Sequence, residues 1–205
     1  MILIPEIETV VILVPRTGSG SLRRAIAATY PRAMQIYRHM EADGVPAGYD
    51  RWRRIGVVRE PLARLWSLYK FMRSYRHPKP DQGAGYIAKL RSSAERPFED
   101  WLLTNEAVFT NPYDTDGGLT FYPQYNVGHS LPENRKSQFI YLRPDLGTEV
   151  FPFSRMETLE ASLKINLGRT NVTDDQPPPA LSLAAAEHML RFFAWDMTVT
   201  GERHD

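Results

Sequence analysis

Pro15-Arg16-Thr17-Gly18-Ser19-Gly20-Ser21-Leu22 follows directly on the apolar run Val10 to Val14. Arg59-Glu60-Pro61, with Ser67 behind it, follows directly on Ile55 to Val58. Each stretch is strand-like, ends in a turn and opens a helix. The first turn is rich in Gly and Ser, so backbone N–H groups at the head of a helix point inward, a geometry that binds phosphate. The second presents an arginine at a strand end and a hydroxyl two turns into the next helix, an arrangement suited to a second anionic group. A ligand carrying phosphates at two separated places needs both.

The ordered pair resembles the sulfotransferase family that uses 3′-phosphoadenosine 5′-phosphosulfate (PAPS) as donor. In that family a Pro-Lys/Arg-[Ser/Thr]-Gly-[Ser/Thr]-[Ser/Thr] loop holds the 5′-phosphosulfate, and an Arg-x-Pro-x-x-Arg-x-x-Ser segment holds the 3′-phosphate. Arg59-Glu60-Pro61-Leu62-Ala63-Arg64-Leu65-Trp66-Ser67 keeps the second spacing intact. Phe153-Ser154-Arg155-Met156-Glu157-Thr158-Leu159-Glu160 is similar to the family's Arg-Phe-Glu-Asn-Leu-Glu stretch. Phe192-Phe193-Ala194-Trp195-Asp196-Met197 resembles its closing Tyr-x-x-Asp-Phe helix, so the likeness spans roughly the whole chain. It is nearest to the carbohydrate sulfotransferase-like branch. One departure is Gly20, where the family usually has Ser or Thr; Ser19 and Ser21 are the neighbouring hydroxyls.

The resemblance implies a donor site of Arg16, Thr17, Gly18, Ser19, Gly20, Ser21 and Leu22 together with Arg59 and Ser67. Arg16 stands at the family's catalytic Lys/Arg position, where a guanidinium bridges the leaving phosphate and the transferring sulfonate. The acceptor hydroxyl needs a base. His39 follows the second strand, where the branch carries a histidine, and an unperturbed imidazole is poised near neutral pH. Glu41 is the alternative, since related branches use a glutamate in that neighbourhood. The resemblance also implies PAPS as donor, 3′-phosphoadenosine 5′-phosphate (PAP) as product, and no metal.

Other residues divide less cleanly. Arg64 shares the Ser67 helix face and either adds charge to the phosphate site or pairs with a carboxylate. Trp52 and Trp66 are candidates to stack adenine, although the periodic neighbours of Trp66 favour core packing. Tyr122-Pro123-Gln124 resembles a Pro-Gln step of carbohydrate sulfotransferases or is a plain turn, and His129 is a weaker base candidate in the same loop. His77, His188 and His204 read as structural or solvent-facing. Asp114 and Asp116 are too sparse for a calcium loop.

The chain has 205 residues and no cysteine, which excludes disulfides and thiolate zinc sites and suits one domain over 1–205. Residues 1–80 hold 14 Lys/Arg against 6 Asp/Glu, a balance of +8, although the net charge of the chain is only +1. A basic first half suits an anionic nucleotide. Nucleic acid is not expected, because no zinc-finger spacing or RNA-recognition aromatic motif accompanies the charge. The amino-terminal apolar run is short, carries Glu6 and Glu8, and has no basic flank, so no secretory signal is expected. No stretch suits a membrane span, and the expected compartment is a cytoplasm.

Thr9 to Val14 reads as a strand buried on both faces, Ala33 to Tyr37 as a second and Ile55 to Val58 as a third. Ser21 to Ala28 reads as a helix, and Pro61 opens another that runs to about Tyr75. Tyr86 to Ser92 and Pro97 to Leu103 read as short helices, and Asn105 to Asn134 as loop. Gln138 to Leu142 and Val150 to Phe153 read as late strands, followed by helices at Met156 to Ile165 and Leu183 to Thr198. Strands alternating with helices predict an α/β fold, and with the resemblance a three-layer P-loop-type domain with a central, mainly parallel sheet. The expected activity is transfer of a sulfuryl group from PAPS to a hydroxyl or amine of a small-molecule or glycan acceptor. A nucleotide or small-molecule kinase with a degenerate phosphate loop is one alternative, although Gly-x-x-x-x-Gly-Lys-[Ser/Thr] is absent. A non-catalytic module that binds PAP or another anion is the other.

Overall fold

A computed structural model describes residues 1–36, 39–74, 94–104, 134–168 and 176–200. Its strands are β1 (Ile2–Ile4), β2 (Thr9–Ile12), β3 (Met34–Gln35), β4 (Arg53–Val58) and β5 (Glu149–Pro152). Its helices are α1 (Ser19–Thr29), α2 (Pro61–Ser74), α3 (Phe98–Leu103), α4 (Gln138–Leu142), α5 (Met156–Leu163) and α6 (Leu183–Thr200). The strands form one sheet in the order β3-β1-β2-β4-β5. Val11 lies opposite Ile55 in the parallel β2–β4 pair, and Val57 opposite Phe151 in the parallel β4–β5 pair.

The sheet is mixed, which amends the sequence expectation. Ile2–Ile4 was not expected as a strand, yet β1 inserts between β2 and β3 and runs antiparallel to both. Three residues ahead of Pro5 are too few to show a period of their own. Tertiary burial decides instead, since all three side chains are buried. The return to β2 is a single 3-10 turn at Pro5–Ile7, closed by Glu8 in the left-handed region at φ 45°.

Gln138 to Leu142 is a helix rather than the expected strand. A short apolar run has no length with which to separate the two periods. The deciding signal is Ser137, whose side chain accepts the N–H of Phe139 and caps the helix start. Leu142 of α4 then packs onto Gly56 of β4, where a Cβ would stand 2.2 Å from the Leu142 Cδ2. The expected helix at Tyr86 to Ser92 and the loop from Asn105 lie outside the described residues.

Side-chain alternation along the strands separates two apolar clusters. Ile4, Val11, Ile55 and Phe151 pack with Leu22 and Ile26 of α1 and with Leu159 and Leu163 of α5. Leu3, Val10, Ile12 and Val58 pack with Tyr141 and Leu142 of α4 and with the partly buried Trp195 and Val199 of α6. A third cluster joins α2, α3 and α6 through Leu65, Tyr69, Trp101, Met189 and Phe193. Each fully buried Leu, Ile or Phe stabilises the fold by about 1.5–3 kcal/mol relative to its exposed state. Because β2 and β4 are parallel neighbours, the turns that leave their carboxyl ends emerge side by side. That topology brings the two sequence motifs together.

Candidate functional site

The first turn is closed from within. The buried Thr17 hydroxyl donates to the Val14 carbonyl at 3.0 Å, so this hydroxyl holds the loop shape. Arg16 and Gly18 both adopt positive φ, 67° and 78°. Gly18 is the residue ahead of α1 and has no side-chain cap. A Cβ there would lie 3.2 Å from Cε2 of Phe153, so both the dihedral and the space require glycine. Gly20 is different: it sits within the first turn of α1, and the nearest atom to a built Cβ is the Arg24 Nη1 at 3.8 Å. Within the chain itself, Gly18 is the crowded position of the two.

The first backbone bond of α1 is Leu22 N–H to Gly18 O at 3.0 Å. The N–H groups of Ser19, Gly20 and Ser21 precede it, with no intrahelical acceptor by helix geometry. No acidic side chain stands in this first turn. The helix end thus keeps its positive partial charge uncompensated by a carboxylate of its own turn.

The second motif closes onto this turn. Arg59 donates from Nη1 to the Arg16 carbonyl at 3.2 Å, and Arg16 donates from Nε to the buried Ser67 hydroxyl at 3.1 Å. Ser67 is thus tied to the Arg16 side chain, and Arg59 to the Arg16 backbone. Each guanidinium also lies over an aromatic face: Arg16 over Phe71 at 4.7 Å and Arg59 over Phe153 at 4.9 Å. Burial holds the Arg59 guanidinium below its ordinary pKa, with Glu60 opposing that trend and Arg64 adding to it. Among the described residues Arg59 has no carboxylate within ion-pairing distance. A desolvated cation with no carboxylate in pairing distance is one that an anion stabilises.

Arg59 is held by a network that sequence reasoning missed. Gln138 accepts the Arg59 N–H at 2.9 Å and donates to the Arg59 carbonyl at 2.7 Å, extending strand-like pairing past β4. Gln138 is in turn held by the buried Asp196 of α6, which accepts its backbone N–H at 3.0 Å and its side-chain amide at 3.2 Å. Asp196 also accepts the Ser137 hydroxyl at 2.5 Å. A buried carboxylate taking several N–H and O–H donors is charge-compensated by hydrogen bonds. Ser137 ahead of an apolar run was the available signal.

His39 is buried, and its Nδ1–H donates to the Leu13 carbonyl at 2.7 Å. A carbonyl only accepts, so Nδ1 carries the proton in that bond, beside the strand that feeds the Arg16 turn. Glu41 is buried in an ion pair with Lys136, whose ammonium also stands over the Tyr141 ring at 4.1 Å. Glu41 is therefore already committed to a structural partner. Arg64 is fully buried, donates to the Lys136 carbonyl at 2.9 Å and faces Phe193 at 5.9 Å. It points into the core between α2 and α6. Phe193 is where α6 departs from helical dihedrals, at φ −127° and ψ 18°.

Both candidate tryptophans pack against other rings of the chain. Trp66 stacks on Tyr69 at 5.5 Å, meets Phe98 edge-on and donates from Nε1 to the Gln176 carbonyl. Trp52 packs edge-on against Tyr49 ahead of the first residue of β4, at the opposite strand end from Arg59. His188 is buried on α6 and donates from Nε2 to the Asn134 carbonyl at 2.7 Å. His77, His129, His204, Tyr122, Asp114 and Asp116 lie outside the described residues. Among the described residues no three His, Asp or Glu side chains gather as metal ligands would, and no helix is long and apolar enough to cross a membrane.

Family models, curated proteins and solved structures give no match to this chain.

Proposed function

We propose that this chain is a PAPS-dependent sulfotransferase of three-layer P-loop type, moving a sulfuryl group to a hydroxyl or amine and releasing PAP. The observation that carries the reading is Arg59: a partly buried guanidinium with no carboxylate in ion-pairing distance among the described residues, bonded to the very turn that resembles a phosphosulfate loop. The N–H groups at the head of α1 bind the 5′-phosphate end. Arg59 pairs with the 3′-phosphate, with the Ser67 hydroxyl as a second donor. Gln138 and Asp196 position Arg59 without touching the nucleotide.

PAPS supplies the transferable sulfuryl group and a phosphate leaving group. A bond forms between acceptor oxygen and sulfur while the bond from sulfur to the 5′-phosphate oxygen breaks. The acceptor proton passes to Nε2 of His39, the ring nitrogen not engaged by the Leu13 carbonyl. Arg16 stabilises the negative charge that grows on the leaving phosphate; as an arginine it stays protonated and donates no proton. Glu41 acts through its ion pair with Lys136 as a support for this wall rather than as the base.

A thermal-shift comparison of PAP, adenosine 5′-phosphate and ATP with magnesium tests the assignment, since selective ligands raise the melting temperature by mass action. PAP is expected to give the largest shift. A larger response to ATP with magnesium would favour a kinase. PAP binding without turnover on any acceptor would favour a non-catalytic module.

A further inference from the structure

A groove of about 350 Å³ lies along α6, lined by Arg135, Glu187, His188, Arg191 and Phe192, with Leu103 and Ala184 on its apolar side. It shares no residue with the turns around Arg16 and Arg59. Arg135 lies 5.3 Å from the centroid of the Phe192 ring, and Arg191 lies 5.2 Å from the same centroid. The two cations therefore stand no more than about 10.5 Å apart. Neither has an ion pair within 4 Å among the described residues, and Glu187, although it lines the groove, pairs with neither. The Arg135 Nε is buried and has no hydrogen-bond partner among the described residues. A buried N–H of a charged group left unpaired is costly, and a concave site edged by two unpaired guanidinia attracts anions.

We infer that this groove is a second binding site, for an organic oxyanion: a carboxylate, sulfate or phosphate carried on an apolar group. Arg135 and Arg191 pair with the oxyanion, and Leu103, Ala184 and the Phe192 ring receive the apolar part. His188 forms the wall between them and reports on occupancy. Its surroundings are Arg135 from the segment before α4, Arg191 and Glu187 on its own helix, and the Asn134 carbonyl that accepts its Nε2–H. Burial, Arg135 and Arg191 hold the imidazole below its ordinary pKa, and an anion placed between the arginines offsets their effect. The inference stands apart from the sulfotransferase reading, because neither Arg16 nor Arg59 takes part.

The test is a titration of the full chain with phenyl sulfate, followed through the His188 imidazole NMR signal and assigned with the His188→Asn variant. Inorganic sulfate and sodium chloride at matched ionic strength are the comparisons. Phenyl sulfate is expected to give a saturating shift and an upward move of the His188 midpoint, with inorganic sulfate at least about fivefold weaker for want of apolar burial. Arg135→Ala is expected to abolish the response. Arg191→Gln, on the exposed side of the helix, is expected to weaken it with the melting temperature unchanged. Arg59→Ala is expected to leave it intact. A response no different from chloride, or one that survives both Arg135→Ala and Arg191→Gln, overturns the site. Equal affinity for the two sulfates overturns the apolar half of the assignment, and loss of the response in Arg59→Ala would move the anion to the Arg16 turn.

Discussion

Arg59 reaches back 43 residues to bond the main-chain carbonyl of Arg16, joining the turn after β4 to the turn after β2. Arg16 holds a positive φ of 67°, a conformation that costs a non-glycine residue about 1–2 kcal/mol. The strain persists because Thr17, Ser67 and Arg59 all fix the same turn. The two turns are thus tied to each other through both the side chain and the main chain of Arg16.

Gly18 and Gly20 are expected to behave differently. Gly18→Val forces a branched side chain into the left-handed region and against Phe153, so it is expected to lower stability by about 1–3 kcal/mol. Gly20→Ser meets nothing closer than the Arg24 Nη1 at 3.8 Å and restores the hydroxyl usual in the resembled family, so stability is expected within about 0.5 kcal/mol of wild type. Urea denaturation of the two variants checks this. Equal destabilisation would show that the turn is not held as described.

The Glu41–Lys136 pair is buried on both sides, with side-chain exposures of 4% and 1%. Lys136→Met leaves an uncompensated buried carboxylate and is expected to cost about 3–5 kcal/mol. The double variant Lys136→Met/Glu41→Leu is expected to recover much of that loss, because removing both charges removes the desolvation burden. Chemical denaturation of wild type, the Lys136→Met variant and the double variant checks this. A double variant no more stable than Lys136→Met would contradict it.

His188 gives stability a defined pH dependence. Its pKa is lowered from 6.5, chiefly by burial, so the unfolded chain binds more protons than the folded one just below that pH. The stabilisation is complete above pH 6.5 and is lost as pH falls through the lowered folded value. Wild type is therefore expected to lose stability more steeply than His188→Asn on acidification below pH 6.5. Parallel slopes for the two proteins would contradict this role.

His39 and Glu41 make opposite predictions for the chemical step. His39→Ala is expected to lower turnover by roughly 10²–10⁴ with PAP affinity nearly intact, as for a general base outside the donor pocket. The acid limb of the rate profile is expected to vanish with it. Arg16→Ala is expected to reduce turnover by about 10²–10³, the loss of one preorganised charge stabiliser. An acid limb that survives in His39→Ala and disappears in Glu41→Gln would assign the base to Glu41.

The strand-turn-helix units around Arg16 and Arg59 were legible because each combines a β-branched run, turn residues and a helical period within about twenty residues. Local signals of that kind survive without tertiary information. Ile2–Ile4 was not legible, since its strand character comes from ladders on both sides rather than from its own pattern. Gln138–Leu142 was misread because Ser137, its cap, was passed over for the apolar run behind it. Lys136 lies 95 residues from Glu41, and nothing local marks the pairing. Arg64 kept its helix face but turned to the core, because that face of α2 meets Phe193 and the Lys136 carbonyl.

The central claim is that Arg59 holds a 3′-phosphate. Calorimetric titration of wild type and Arg59→Ala with PAP and with adenosine 5′-phosphate, which lacks that group, isolates the contact. Loss of a charged hydrogen bond corresponds to about 1.5–3 kcal/mol, so Arg59→Ala is expected to weaken PAP by roughly 10- to 150-fold. Ser67→Ala is expected to cost less, on the order of 1 kcal/mol. Adenosine 5′-phosphate is expected to bind both wild type and Arg59→Ala with the same affinity. PAP binding unchanged in a folded Arg59→Ala protein, or weakened no more than adenosine 5′-phosphate, would contradict the account.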